Sequence, residues 1–188
     1  MILKEVKNEK GKLKIYCDED AESPREWNNL SKMVCFHREY SLGDNHNYDS
    51  KNYSSWEEVA EAIKRDYDIA AMLPLYLYDH SGITISTTPF SCPWDSGQVG
   101  WAFITKEDLR EEFEIKKITK KFREKAREII LGEVSIYDEY LRGEVYRYVL
   151  EDISGETVDS CWSIYGDYVK GISEYIPKGY SDLLKQIA

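Results

Sequence analysis

Three short stretches concentrate the side chains able to do chemistry. Cys35-Phe36-His37-Arg38 is followed closely by Gly43-Asp44-Asn45-His46. Tyr78-Asp79-His80-Ser81-Gly82 is the second, and Ser91-Cys92-Pro93-Trp94-Asp95-Ser96-Gly97-Gln98 the third. All 3 histidines of the chain fall in the first two. His46 and His80 each follow a carboxylate, Asp44 and Asp79, and imidazole with carboxylate is a common metal-binding pairing. Convergence of His37, Asp44, His46 and His80 would hold a divalent ion and activate water for hydrolysis of a phosphoester. The spacing matches no zinc motif such as HExxH, so no metal is assigned; hydrogen-bonded or ligand-contacting histidines are the simpler expectation. A covalent alternative uses Cys92 or Ser81 with His80 as base. Neither Ser-Gly step has the GxSxG spacing, and adjacent His80 and Ser81 on a strand would point to opposite faces.

The third stretch differs in character. Trp94 offers a stacking plane and Gln98 can read an amide or base edge. Asp95, Ser96 and Gly97 add polar atoms and close backbone approach, which suits a small planar ligand. The plainer alternative is a tight turn with Trp94 packed on a sheet, and DHSG and DSG also read as turns in which side-chain oxygens bond the backbone. With Arg38 as the nearby cation, the candidate ligand contacts are His37, Arg38, Asp44, His46, Asp79, His80, Trp94, Asp95, Ser96 and Gln98. No catalytic residue and no cofactor is assigned. Arg142 and Arg147 are further cations, whose default role is in ion pairs.

The elements that must position these residues follow from pattern. Leu13, Ile15 and Cys17 alternate with Lys14 and Tyr16, which predicts a hairpin with residues 2–7 closed through Asn8–Lys12. Met33–Phe36 reads as a short buried strand, and Ser41–Tyr53 as a long loop. Ser55-x-x-Glu58 is a capping box, and Trp56, Val59, Ala60 and Ile63 share one helical face. Strands are predicted over Ile69–Tyr78, with Pro74 at its start or on an edge, over Gly82–Thr87 and over Val99–Ile104. TPFSCPWDSGQ is read as the loop between the last two. Thr105 can cap a helix reaching Phe113, and Thr119 a longer one that Gly132 interrupts before Leu141. Residues 144–153 and 157–165 form an antiparallel pair, and a last helix starts at Ser181. Without a regular βαβ alternation, the expected fold is α+β: a single domain with a mainly antiparallel sheet and two or three helices. It divides into an N-terminal hairpin (1–18), a core (30–167) and a C-terminal helical segment (168–188).

Composition narrows the function classes. The chain has 188 residues, and 25 basic against 35 acidic side chains leave a net charge of −10. That charge disfavours direct nucleic-acid binding, because phosphates are repelled before groove contacts form. Its acidic residues are interspersed with lysines, as in EDLREEFEIKKITKK, so an inhibitor that mimics nucleic acid stays a secondary reading. The 4 cysteines make no CxxC pair. With no apolar run of membrane length and no signal-like stretch in MILKEVKNEKGK, reduced thiols, no membrane and a cytoplasmic location are expected. The 15 tyrosines would suit a homo-oligomer interface as well as sheet packing.

NLSKMVCFHREYSLGD, LYLYDHSGITISTTPFSCPWDSGQVG, YLRGEVYRYVLED and DSCWSIYG, in this order, resemble an uncharacterised family of small phage and mobile-element proteins. The resemblance runs through residues 13–166 and leaves the segment after Asp167 outside. The family has no assigned reaction, so the resemblance implies context and carries over no catalytic residue. That context is a phage accessory protein inside a host bacterial cell. The leading expectation is a non-enzymatic binding protein that counteracts host defence, its partner a small nucleotide-like ligand or a host defence protein. The alternatives are the metal-dependent hydrolase and the acidic mimic.

Overall fold

The computed structural model describes residues 2–187. In chain order the first elements are β1 (Ile2–Asn8), β2 (Gly11–Cys17), β3 (Lys32–Cys35), α1 (Trp56–Asp66) and β4 (Ile69–Asp79). Next come β5 (Ile83–Ser86), β6 (Ser96–Thr105), α2 (Lys106–Glu112) and α3 (Lys120–Leu141). β7 (Val145–Asp152), β8 (Thr157–Tyr165) and α4 (Tyr168–Tyr175) follow, and a 3-10 helix over Lys178–Gln186 ends the described chain. Among the described residues the strands form two four-stranded sheets, β1-β2-β7-β8 and β3-β6-β4-β5, in which every pairing is antiparallel. The fold is α+β. No helix among the described residues is long and apolar enough to cross a membrane.

The chain packs as two compact units, one of Met1–Ser23 with Glu139–Ala188, the other of Pro24–Asp138. In the first, the alternation read from the sequence puts Leu13 and Ile15 on a buried sheet face with Val6, Tyr148, Leu150 and Ile164. Ile172 of α4 and Leu183 and Ile187 near the end of the chain cover that face. The first hairpin closes because the Asn8 side chain accepts from the N–H groups of Lys10 and Gly11. The expected helix from Ser181 is part of the longer 3-10 helix, preceded by the separate helix α4.

The second unit carries all three reactive stretches. Ser55 caps α1 by accepting from the Glu58 N–H, and the Glu58 carboxylate reaches back to the N–H of Ser54 rather than of Ser55. The apolar face of α1 then packs Val59 and Ile63 with Val34 and Phe103 of the sheet. Pro74 lies within β4, where β5 has not yet begun to pair; there β4 has only β6 beside it, and a missing N–H is tolerated. Thr105 caps α2 through the Asp108 N–H. α3 runs unbroken through Gly132, correcting the expected interruption. A helical glycine costs only about 1 kcal/mol, and buried Ile130 and Val134 on either side offset it. Hydrogen bonds from two loops and from β5 end on α3: Ser31 on Glu133, Gly43 on Tyr137, and Ile85 on Asp138.

Candidate functional site

β3 ends at Cys35, and the chain then turns across the end of the sheet. The turn is built by His37: its Nδ1 accepts from the backbone N–H groups of Glu39 and Tyr40 at 3.3 and 3.2 Å. An acceptor at Nδ1 leaves the ring proton of the neutral imidazole on Nε2. The His37 and Tyr40 rings stack at 4.9 Å. Tyr40 Oη donates to Asp79 Oδ1 at 3.4 Å, and desolvation, then the Asp79 charge, raises its pKa, so it remains a donor.

The return of this loop is held by an arginine that the sequence did not mark. Arg25 is 5% exposed at its side chain and forms a two-pronged pair with Asp44, Nε to Oδ1 and Nη2 to Oδ2, each 2.8 Å. Nη2 also donates to the Ser31 carbonyl, and Nη1 lies 3.5 Å from Glu133. Burial works against the charge, yet Asp44 and Glu133 outweigh it and the guanidinium pKa is raised. Asp44 further accepts from the Met33 N–H at 2.8 Å, and Glu133 from the backbone of Leu30 and Ser31. Gly43 sits at φ +70°, and a Cβ there would come within 2.7 Å of the Met33 carbonyl, so only glycine lets the loop approach β3 this closely.

The result is a cleft of about 700 Å³ whose walls include His37, Arg38, Asp44, His46, Asp79 and Gln98. Arg38 is exposed and has no ion-pair partner among the described residues. His46 Nε2 hydrogen-bonds the Cys35 carbonyl at 2.9 Å, which fixes the proton there; Nδ1 is buried without a partner. Phe36 packs edge-on against the His46 ring. Cys35 also contributes to the wall, and burial pushes its thiol up to about 12, so it is no nucleophile.

His80, Trp94, Asp95 and Ser96 stand apart from this lining. They gather at the Cys92–Ser96 turn, with His80 reaching it from the turn between β4 and β5. Asp95 Oδ2 lies 3.3 Å from His80 Nδ1 and accepts from Cys92 Sγ at 3.6 Å. Ser96 Oγ bonds the Cys92 carbonyl, and the Asp79 N–H donates to the Asp95 carbonyl. Trp94 is 91% exposed, so the alternative in which it packs on the sheet does not occur. Ser96, Gly97 and Gln98, read as loop, begin strand β6.

This geometry bears on each chemical reading. In a nucleophile–base–acid relay the imidazole lies between the other two groups. Here a carboxylate lies between thiol and imidazole, and the covalent arrangement of Cys92 with His80 is not formed. The set His37, Asp44, His46 and His80 is not assembled for a metal, because Asp44 is held by Arg25 and both His37 and His46 spend a ring nitrogen on backbone groups. No group of three His, Cys, Asp or Glu side chains among the described residues is disposed to hold a metal ion. Arg142 pairs with Glu144, and Arg147 lies over the Tyr16 ring at 5.1 Å, both in the other unit. No family model, no curated protein and no solved structure matches the chain.

Proposed function

We propose that the chain is a non-enzymatic binding protein whose cleft holds a small anionic ligand. The observation that carries this is Arg38: an arginine lining the cleft with no ion-pair partner among the described residues, beside a histidine whose accepting nitrogen is already used and whose Nε2–H is therefore the donor. Ser41, Asn45, Ser50 and Gln98 add neutral polar side chains to the same walls. On an acidic protein such a local arginine is what an anion needs. The resemblance to phage and mobile-element proteins supplies the setting. In it, capture of a nucleotide-type signal would counteract a host defence. Titration calorimetry with inorganic pyrophosphate tests the cleft. Arg38→Ala is expected to weaken binding tenfold or more, as for a lost hydrogen bond to a charged group. Equal binding by wild type and variant, or none by either at millimolar pyrophosphate, would remove the proposal.

A second reading has its own observation. Trp94, displayed on a braced turn, has the type and exposure of an anchor for a protein partner. A host defence protein would then be recognised directly. Loss of complex formation by Trp94→Ala with Arg38→Ala unaffected would favour this reading over the cleft.

A further inference from the structure

Beside the cleft lies a smaller recess of about 250 Å³, whose apolar lining is Phe36, Tyr53, Trp56 and Val59. Phe36 and Trp56 stack with centroids 5.9 Å apart and planes 27° from parallel. Trp56 is the first residue of α1, and its carbonyl accepts from Trp101 Nε1 at 2.9 Å, which fixes the backbone under the ring. Ser54 and Ser55 complete the rim with hydroxyl groups. Phe36 and Ser50 line both the recess and the cleft, so the two cavities share a wall.

One short run of backbone therefore passes from an aromatic floor at Phe36 to the donors His37 and Arg38. A volume this small is below that of a pocket for a whole drug-sized ligand, roughly 300 Å³ or more, but takes one ring system. Aromatic faces at the wall bind a planar ring by stacking, and serine hydroxyls at the rim can bond the polar edge of a heteroaromatic one. We infer that the ligand is bipartite: a planar heteroaromatic ring enters the Phe36–Tyr53–Trp56 recess while an anionic group reaches Arg38 and His37. Its class is that of a nucleoside monophosphate. This rests on the anion reading of the cleft and adds to it the place and chemistry of the ring.

The test uses three probes on the full chain by titration calorimetry and saturation-transfer NMR: adenosine monophosphate, ribose 5-phosphate and adenosine. Adenosine monophosphate is expected to bind at least tenfold tighter than ribose 5-phosphate, the size of effect one stacked base provides. Its base protons should take up the most saturation. Ser54→Phe, at an exposed position on the rim of the recess and outside the cleft lining, should abolish that advantage and leave ribose 5-phosphate binding unchanged. The saturation pattern on the wild-type protein gives the same answer if this variant folds poorly. Equal affinity for adenosine monophosphate and ribose 5-phosphate, both sensitive to Arg38→Ala, would overturn the ring and leave the anion reading standing. Equal affinity for adenosine and adenosine monophosphate would overturn the anion reading. Failure of all three probes at millimolar concentration would overturn both.

Discussion

The loop from Cys35 to Ser50 and the turn from Cys92 to Ser96 are built of similar residues and take opposite shapes. In each an aspartate lies near a histidine, Asp44 near His46 in the sequence and Asp95 near His80 in space, with serine, glycine and an aromatic close by. In the first, the aspartate is Asp44, drawn inward by Arg25 and the Met33 N–H. Arg25 is itself set by Glu133 of the long helix. The loop is pulled down onto the sheet at that point, and a concave wall is left above it. In the second, Asp95 bonds Cys92 of its own turn and His80 of the turn between β4 and β5. The turn closes on itself and its tryptophan is left outside. Concavity here depends on an anchor reaching back to the long helix, whereas a turn braced only by its own residues and the adjoining turn makes a knob.

Breaking the anchor should have the largest effect. Arg25→Met leaves Asp44 and Glu133 without their shared cation, a loss of about 3–5 kcal/mol for a broken buried ion pair. Urea denaturation is expected to show it, along with loss of pyrophosphate binding. A stability near wild type would remove the contrast between the two loops. Strand β5, which leads into the loop of the Trp94 turn, has a smaller anchor, Asp138, which accepts from the Thr84 hydroxyl and the Ile85 N–H. Asp138→Ala should cost about 1–3 kcal/mol, with the two donors left unpaired. Binding in the cleft should survive it.

A weaker tie joins β3 to α2. Burial alone would raise the Asp108 pKa, but hydrogen bonds from Lys32 and Thr105 outweigh it and hold the carboxyl below its ordinary 3.8. A carboxyl lowered in the folded state contributes fully above the unfolded value and loses its contribution as pH falls through the folded one. Wild type should therefore lose stability as the pH drops below 3.8 by an increment that Asp108→Asn lacks, measured as the difference in urea midpoints. The smallest effect belongs to the knob. Trp94→Ala is expected to stay within about 0.5 kcal/mol of wild type, since the ring touches little but solvent. A large loss there would mean that the turn needs its tryptophan to fold.

Much of the second unit was legible from pattern. The helix at Ser55, the cap at Thr105 and the strands within residues 69–105 follow from capping, apolar runs and alternation, which are local properties. The cleft was legible in part: His37, Arg38, Asp44, His46, Asp79 and Gln98 were nominated for their chemistry and line one cavity. His80, Trp94, Asp95 and Ser96 were nominated on the same grounds and do not line it. Arg25 gave no signal, because an arginine in a polar stretch reads as solvated until its partners are known. Phe36 and Trp56 read as the inside of a strand and of a helix and Tyr53 as the end of a loop; all three pack against the core, yet they also leave a recess.

The sequence by itself determined which segments are strands and helices and which residues have reactive atoms, because hydrogen-bonded periodicity and side-chain chemistry act over a few residues. Only the tertiary structure decided which of those atoms meet. Asp44 and Glu133 are far apart along the chain and share one guanidinium, while Trp94 and Gln98 are four positions apart and part company where β6 begins. A binding cleft needs polar groups drawn together from distant segments and kept from consuming one another, and that is settled by which charges the fold buries.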